Sequence, residues 1–146
     1  MLEIYTNAIP TEQVYIKWES IAKEKNFGAC CIFCGIVRDE NGIEGLSFDV
    51  YEALLKQWFS KWESIAKERG MIVCMAHSVG DVYNGQSSYM SGILSSNRKN
   101  ALEIYADFIE DFKRNAPIWK YDLKNGKRIY AKERSYALRG SGILAN

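Results

Sequence analysis

Four basic side chains stand at positions where a folded chain could gather them around an anion. Arg38 follows a run of apolar and small residues, and Arg98 stands beside Asn97 at the start of a predicted helix. Lys113 and Lys120 flank a junction that contains a proline. A guanidinium can bind phosphate or carboxylate oxygens through two N–H donors, and free N–H groups at a helix N-terminus favour the same anions. A lysine held partly out of water has a lowered pKa, which suits a nucleophile or a proton carrier.

The same residues also have a simpler interpretation. Lysine and arginine at the ends of helices and strands usually face solvent, and composition alone favours that interpretation for Arg98. The chain has no phosphate-binding P-loop, no glycine-rich dinucleotide motif and no paired-histidine zinc motif. The residues alone therefore predict a small α+β domain with an anion pocket and no cofactor, and they leave the reaction open.

The cysteines and the single histidine do not form a convincing metal site. Cys30, Cys31 and Cys34 are close in sequence, but adjacent strand residues point to opposite faces, so they would not converge on one ion. We expect these residues and Cys74 to be small buried strand residues, with no metal and no disulfide. His77 follows an apolar strand, and a structural, hydrogen-bonded role is favoured over catalysis.

Composition restricts the class of protein. The 146 residues are 47% hydrophobic and 25% charged, which is typical of one soluble globular domain with its own core. Lys plus Arg total 19 and Asp plus Glu total 18, and this balance argues against nucleic-acid and membrane binding. No apolar run approaches the roughly 18 residues of a membrane span, and the N-terminus is unlike a signal peptide, so we expect a cytoplasmic protein.

Hydrophobic periodicity predicts three helices and a largely antiparallel sheet, arranged as an α+β fold in a single domain over residues 1–146. The Asn125-Gly126 pair predicts a tight hairpin, and Val79-Gly80-Asp81 is predicted to turn the chain. The tail, 135–146, is expected to be mobile or held by a partner. The helices are predicted at about 11–25, 53–69 and 97–114, and the strands at about 2–5, 28–38, 46–51, 71–78, 87–95, 118–123 and 127–131.

A series of short motifs resembles a known family in order and spacing. The residues that carry the resemblance are Phe33-Cys34-Gly35-Ile36-Val37-Arg38, Gly45-Leu46, Tyr51-Glu52-Ala53, His77-Ser78-Val79-Gly80, Asn97-Arg98-Lys99-Asn100-Ala101, and Lys113 with Ala116-Pro117-Ile118-Trp119-Lys120. Over about residues 28–130 the chain is similar to the large subunit of molybdopterin synthase, the MoaE family.

The resemblance implies a fold, a reaction and partners. The implied fold is an α/β-hammerhead. The implied activity transfers sulfur from the thiocarboxylated Gly-Gly tail of a small ubiquitin-like subunit to cyclic pyranopterin monophosphate, which yields the molybdopterin dithiolene of molybdenum cofactor biosynthesis. The implied assembly is a homodimer of large subunits within a heterotetramer. An alternative is a non-catalytic module that docks a ubiquitin-like tail without turnover.

The resemblance also implies site residues. Lys113 and Lys120 fall on catalytic positions, and Arg38, Asn97 and Arg98 fall on substrate-binding positions. Asn97 and Ser78 depart from the family, because His and Arg usually stand there, and an asparagine cannot act as a base at neutral pH. The family also has a basic residue after the hairpin, and Lys132 and Arg134 both remain candidates for that place.

The length of the third helix predicts how the site is assembled. Lys113 follows Arg98 by 15 residues, which separates their backbones by about 22 Å along a helix. Two side chains that far apart could hardly meet over one small substrate. We therefore predict an obligate dimer in which Arg98 of a second copy completes each pocket.

Overall fold

The computed structural model describes residues 1–134, so the expectation for the tail falls outside the described residues. Three helices and seven strands follow one another along this part of the chain. In order, they are β1 (Leu2–Thr6), α1 (Thr11–Glu24), β2 (Ala29–Ile36), β3 (Gly45–Val50), α2 (Glu52–Glu68), β4 (Ile72–Tyr83), β5 (Ser87–Ser95), α3 (Arg98–Asn115), β6 (Ile118–Lys124) and β7 (Lys127–Tyr130), followed by one 3₁₀ turn at Lys132–Arg134.

The strands form one sheet in the order β2-β5-β4-β3-β6-β7, with β1 paired to β4. All neighbours are antiparallel except β1 and β4, which run parallel. This arrangement confirms the predicted α+β class with three helices and a largely antiparallel sheet.

The long strand β4 corrects one prediction. Val79-Gly80-Asp81 was expected to turn the chain, but β4 continues through these residues to Tyr83, and Gly80 pairs with Phe48 of β3. Gly80 has φ +86°, a backbone conformation that glycine adopts without strain. The glycine therefore bends the strand without ending it, and this allows β4 to pair with β5 in its first half and with β3 in its second.

Helices cover both faces of the sheet. On one face, α1 buries Trp18 against β4 and β5, and the ring lies so close to Gly92 that a Cβ there would meet it at 3.0 Å. On the other face, α2 and α3 pack their aromatic side chains together, with Phe59 and Phe108 fully buried. No helix within residues 1–134 is both long and apolar enough to cross a membrane.

The C-terminal end of α3 is fixed to α2. Trp58 and Trp62 both donate their indole N–H groups to Oδ2 of Asp111, at 2.8 and 2.7 Å, and Asn115 donates to Oδ1 at 2.6 Å. Burial alone would raise the pKa of the Asp111 carboxyl, but these donors lower it, so the group stays ionised. This network holds the last turn of α3, which carries Lys113, in one position.

The segment after α3 brings the chain back towards the last turn of that helix. Pro117 follows the helix, and β6 begins at Ile118 and runs antiparallel to β3. Asn125 and Gly126 both have positive φ, 52° and 67°, as a two-residue type I′ hairpin requires, which confirms that prediction. The hairpin and β7 then lead back to the 3₁₀ turn that carries Arg134.

Candidate functional site

A cavity of about 290 Å³ opens between the C-terminal end of β2, the C-terminal turn of α3 and β6. Its walls bring together three of the five predicted site residues, Arg38, Lys113 and Lys120, and add Arg134. The remaining lining residues are Gly35, Ile36, Val37, Glu40, Ile43, Leu46, Phe48, His77, Ser88, Tyr89, Phe112, Ala116 and Ile118. Four cationic side chains therefore surround a hollow with an apolar floor, which suits an anionic substrate.

Lys120 is the lysine that the fold withdraws from water. It lies on β6 opposite Phe48 of β3, and burial lowers its pKa from the ordinary value of 10.5. The charges of Arg134 and Lys113 lower the pKa further, whereas Glu40 and Asp122 partly oppose the shift. A lowered pKa increases the neutral fraction of the amine, so Lys120 is better suited than a solvated lysine to accept or deliver a proton.

Each arginine of the cavity already holds an acidic partner. Arg38 contacts Oε1 of Glu40 through both Nε, at 2.8 Å, and Nη2, at 2.6 Å. Arg134 binds both carboxylate oxygens of Asp122, at 2.7 and 2.8 Å. An incoming phosphate or carboxylate would have to exchange with these acids, so the pairs hold the guanidinium groups in place and also compete for them.

The sequence left two of these side chains unassigned. Arg134 and Lys132 were equal candidates for the basic position after the hairpin, and the 3₁₀ turn directs Arg134 to the cavity, whereas Lys132 is not among the lining residues. Glu40 was not predicted to belong to the site. Nothing in its local sequence indicates that the turn folds back to contact Arg38.

The floor of the cavity is aromatic. Tyr89 stacks on Phe112 with ring centroids 4.0 Å apart, and His77 contacts Phe48 edge-on at 5.0 Å. Nδ1 of His77 lies 2.8 Å from the carbonyl oxygen of Ser78, which is the geometry of an N–H donor. Burial lowers the pKa of His77 to about 4, so the imidazole is neutral near pH 7. This geometry agrees with the predicted structural role of His77.

His77 should make stability depend on acidity. The folded state binds the proton only near pH 4, whereas an unfolded histidine binds it near pH 6.5, so between these values the unfolded state carries more protons. The free energy of unfolding therefore has its full value above pH 6.5 and should fall by about 3 kcal/mol on acidification to pH 4.

Because the chain contains one histidine, the proton NMR titration of its imidazole reports this pKa directly. We expect no titration of the folded protein between pH 8 and pH 5.5, and denaturant unfolding at several pH values should show the loss of stability. His77→Phe is the control, because it keeps a ring against Phe48 and removes the titrating group. An imidazole midpoint near 6.5 in the folded protein would show that this cause of acid instability does not exist.

The other two predicted site residues lie at the far end of α3. Asn97 is the N-cap of the helix, and its side-chain oxygen accepts a hydrogen bond from the backbone N–H of Asn100 at 3.0 Å. Arg98 begins the helix and is exposed, and neither residue lines the cavity that contains Lys113. The cavity of one chain is thus separated from its predicted Arg98 by the length of α3.

The prediction for the cysteines was wrong in part. Cys74 is buried, and burial raises the pKa of its thiol to about 12. Cys30 and Cys34, however, are exposed, and Cys31 is only partly buried. The reason is that β2 stands at the edge of the sheet, whereas its apolar sequence had suggested an internal strand. In residues 1–134 no three Cys, His, Asp or Glu side chains are grouped as a metal site requires.

Comparison with known proteins gives consistent matches. A family model described as "MoaE protein" matches residues 7–115. The chain is 59% identical over 145 residues to the molybdopterin synthase catalytic subunit of Helicobacter pylori, which covers 99% of this chain and 100% of that protein.

Solved structures give the same result. A protein–protein complex of subunits 1 and 2 of molybdopterin-converting factor from Helicobacter pylori contains a chain that is 59% identical, with a TM-score of 0.92 over 99% of both chains. Molybdopterin synthase from Staphylococcus aureus has a TM-score of 0.74 at 24% identity, over 88% of this chain and 94% of that one, and supports the fold alone.

Proposed function

The chain belongs to the MoaE protein family, and from this premise we propose that it is the catalytic subunit of a molybdopterin synthase, acting in the cytoplasm in molybdenum cofactor biosynthesis. The relative that is 59% identical along nearly the whole chain bears that name. The observation that carries the proposal is the cavity, in which Lys113, Lys120, Arg38 and Arg134 surround an aromatic floor.

The proposed reaction is sulfur transfer. Its donor is the thiocarboxylated C-terminus of a small ubiquitin-like subunit, and its acceptor is cyclic pyranopterin monophosphate, which becomes the dithiolene of molybdopterin. A structural relative is a complex of two different subunits, which supports such a partner. The tail of that partner would have to enter the cavity for its thiocarboxylate to reach Lys113 and Lys120.

The residues of the cavity fit the charges that this reaction develops. The thiocarboxylate sulfur attacks a pterin carbon, displaces an oxygen substituent and forms a thioester. Water then adds to the thioester carbon, and the resulting tetrahedral anion collapses to the carboxylate and leaves the sulfur on the pterin. The ammonium groups of Lys113 and Lys120 can stabilise that anion. Lys120, with its lowered pKa, can also take up or release the accompanying proton. Arg38 and Arg134 can bind phosphate or carboxylate oxygens once these replace Glu40 and Asp122.

The other two predicted site residues, Arg98 and Asn97, would take part in the site only in an assembly of two copies. Arg98 is exposed and far from its own cavity, so it would serve the cavity of a second copy in a homodimer, within a heterotetramer that includes two small subunits. Asn97 would act there mainly by capping α3 and so orienting the helix start that carries Arg98.

Reconstitution tests the proposal against a docking module without activity. The purified chain is mixed with thiocarboxylated small subunit and cyclic pyranopterin monophosphate, and the dithiolene product is measured. We expect product to form in proportion to the thiocarboxylate consumed, and none with a small subunit that carries an ordinary carboxylate. A tight complex that consumes no thiocarboxylate would show that the chain binds the partner without catalysis.

A further inference from the structure

The loop between β2 and β3 is anchored at both ends and exposed between them. At one end Val37 is buried, and its N–H donates to the carbonyl oxygen of Gln86 at 2.8 Å. At the other end Ile43 is buried, and its carbonyl oxygen accepts the side-chain N–H of Asn84 at 2.7 Å. Residues 38–42 between these anchors are all exposed. A side chain in this segment can therefore move without disturbing the core.

Glu40 is the acid that this loop places at the cavity. Its Oε1 lies 2.8 Å from Nε and 2.6 Å from Nη2 of Arg38. Its charge also reaches Lys120, because burial lowers the pKa of that lysine and Glu40 partly opposes the shift. The carboxylate therefore lies among the cations of the cavity, where the oxygens of an incoming anion would also bind.

The two arginines of the cavity hold their acids differently. Arg38 and Glu40 are two residues apart on the exposed loop, and their side chains are 81% and 46% exposed. Arg134 binds both carboxylate oxygens of Asp122, and these side chains are 42% and 25% exposed. An ion pair that remains in water is weak, whereas a less exposed pair that uses both oxygens is harder to separate. The pair of Arg38 and Glu40 is therefore the one that an anion can open.

A second cavity gives the displaced carboxylate a place to go. This cavity has a volume of about 320 Å³ and shares Glu40, Ile43 and Arg134 with the first. Lys124 also lines it. Rotation of the Glu40 side chain from the first cavity into the second therefore brings the carboxylate towards another cation, and the backbone of the loop need not move.

We propose that Glu40 is an internal competitor for Arg38: its carboxylate binds the guanidinium between turnovers, and the phosphate oxygens of the substrate displace it. The identity of that substrate rests on the proposed function, whereas displacement by an anion depends only on the geometry of the loop. Every phosphate ligand must first separate Arg38 from Glu40, and this weakens its binding. Glu40 thereby limits how tightly the cavity retains the product, from which sulfur transfer does not remove the phosphate.

Binding of inorganic phosphate tests the displacement without any sulfur transfer. The readout is the Nε–H resonance of Arg38 in the ¹⁵N-labelled full chain, which is assigned by its loss in Arg38→Lys. Glu40→Gln keeps the size of the side chain and removes its charge. We expect phosphate to bind this variant about three to five times more tightly than the wild type, as the strength of an exposed ion pair implies.

Glu44→Gln is the matched control. It removes the same charge from the same loop, but Glu44 lines neither cavity, and its carboxylate accepts a hydrogen bond from the backbone N–H of Asn125 at 2.9 Å. A glutamine can accept the same bond, so the loop should keep its structure. At physiological ionic strength the phosphate affinity of Glu44→Gln should equal that of the wild type, because solvent and salt screen a charge outside the cavity.

Steady-state kinetics of the complex with the small subunit give a second readout. In Glu40→Gln, the KM for cyclic pyranopterin monophosphate and the inhibition constant of the product should both fall about three- to fivefold. Both constants should fall because both ligands carry the phosphate. A variant that merely disturbed the loop would raise the two constants, so the direction of the change separates competition from a structural role.

Four results would overturn the proposal. Equal phosphate affinity in the wild type and Glu40→Gln would show that Glu40 does not compete, and weaker binding to Glu40→Gln would show that it positions Arg38 for the ligand. Equal strengthening by Glu44→Gln would show a general effect of charge. A KM that does not fall would show that the substrate phosphate does not displace Glu40. Tighter phosphate binding confined to Glu40→Gln supports the displacement even if the wild type forms no dithiolene, which would refute only the proposed function.

Discussion

Replacing Lys120 by alanine should reduce sulfur transfer by roughly 100-fold while the protein still folds. Lys120 lines the cavity on a fixed strand, and burial lowers its pKa. The variant loses both a charge that stabilises the anionic intermediate and the group best suited to move its proton. Single-turnover consumption of the thiocarboxylate measures the effect, and circular dichroism checks the fold.

Two further variants test whether the loss of activity is specific to the lysines of the cavity. Lys113→Ala should also lower the rate, by more than about tenfold, because Lys113 lines the same cavity. Lys67→Ala, which removes an exposed lysine of α2, should change little. Near-normal turnover in both Lys113→Ala and Lys120→Ala would refute the assignment of the site.

Mixing two inactive variants should restore activity if the cavity is shared between subunits. Arg98→Ala and Lys113→Ala should each be poor as homodimers. After subunit exchange, half of the dimers combine one of each, and one of their two cavities is then intact, so activity should return to about a quarter of the wild-type value. Turnover measured before and after exchange tests this expectation.

The control for the mixing experiment uses two residues of one cavity. Lys113→Ala mixed with Lys120→Ala leaves a defect in every cavity, because both residues come from the same chain. This mixture should stay inactive. If the Arg98→Ala and Lys113→Ala mixture also recovers nothing under confirmed exchange, or if a monomer is fully active, the shared cavity is wrong.

Much of the fold followed from local patterns. The helices end within a few residues of their predicted bounds, because amphipathic periodicity is a local signal, as are Gly70 after α2 and Pro117 after α3. The turn predicted at Gly80 was wrong, because a glycine that can adopt positive φ is typical of turns. Only the pairing with β3 shows that the strand continues. The place of β2 at the edge was also hidden, because its apolar sequence is typical of an internal strand and the strand order is not a local signal.

The site was only partly predictable for a related reason. Arg38, Lys113 and Lys120 were identified by motif positions, and the fold brings them to one cavity. Glu40 could not be identified, because its contact with Arg38 depends on how a polar turn folds back. The choice of Arg134 over Lys132 likewise depends on the 3₁₀ turn after β7, which places Arg134 on Asp122.

The most direct measurement is the mass of the small subunit's C-terminus during a single turnover with this chain. In the presence of cyclic pyranopterin monophosphate, we expect the thiocarboxylate to become a carboxylate as the sulfur appears in the pterin product. Without the pterin, or with Lys120→Ala, the thiocarboxylate should persist. A thiocarboxylate that is lost equally fast without the pterin, or that persists in the complete mixture, would contradict sulfur transfer at this cavity.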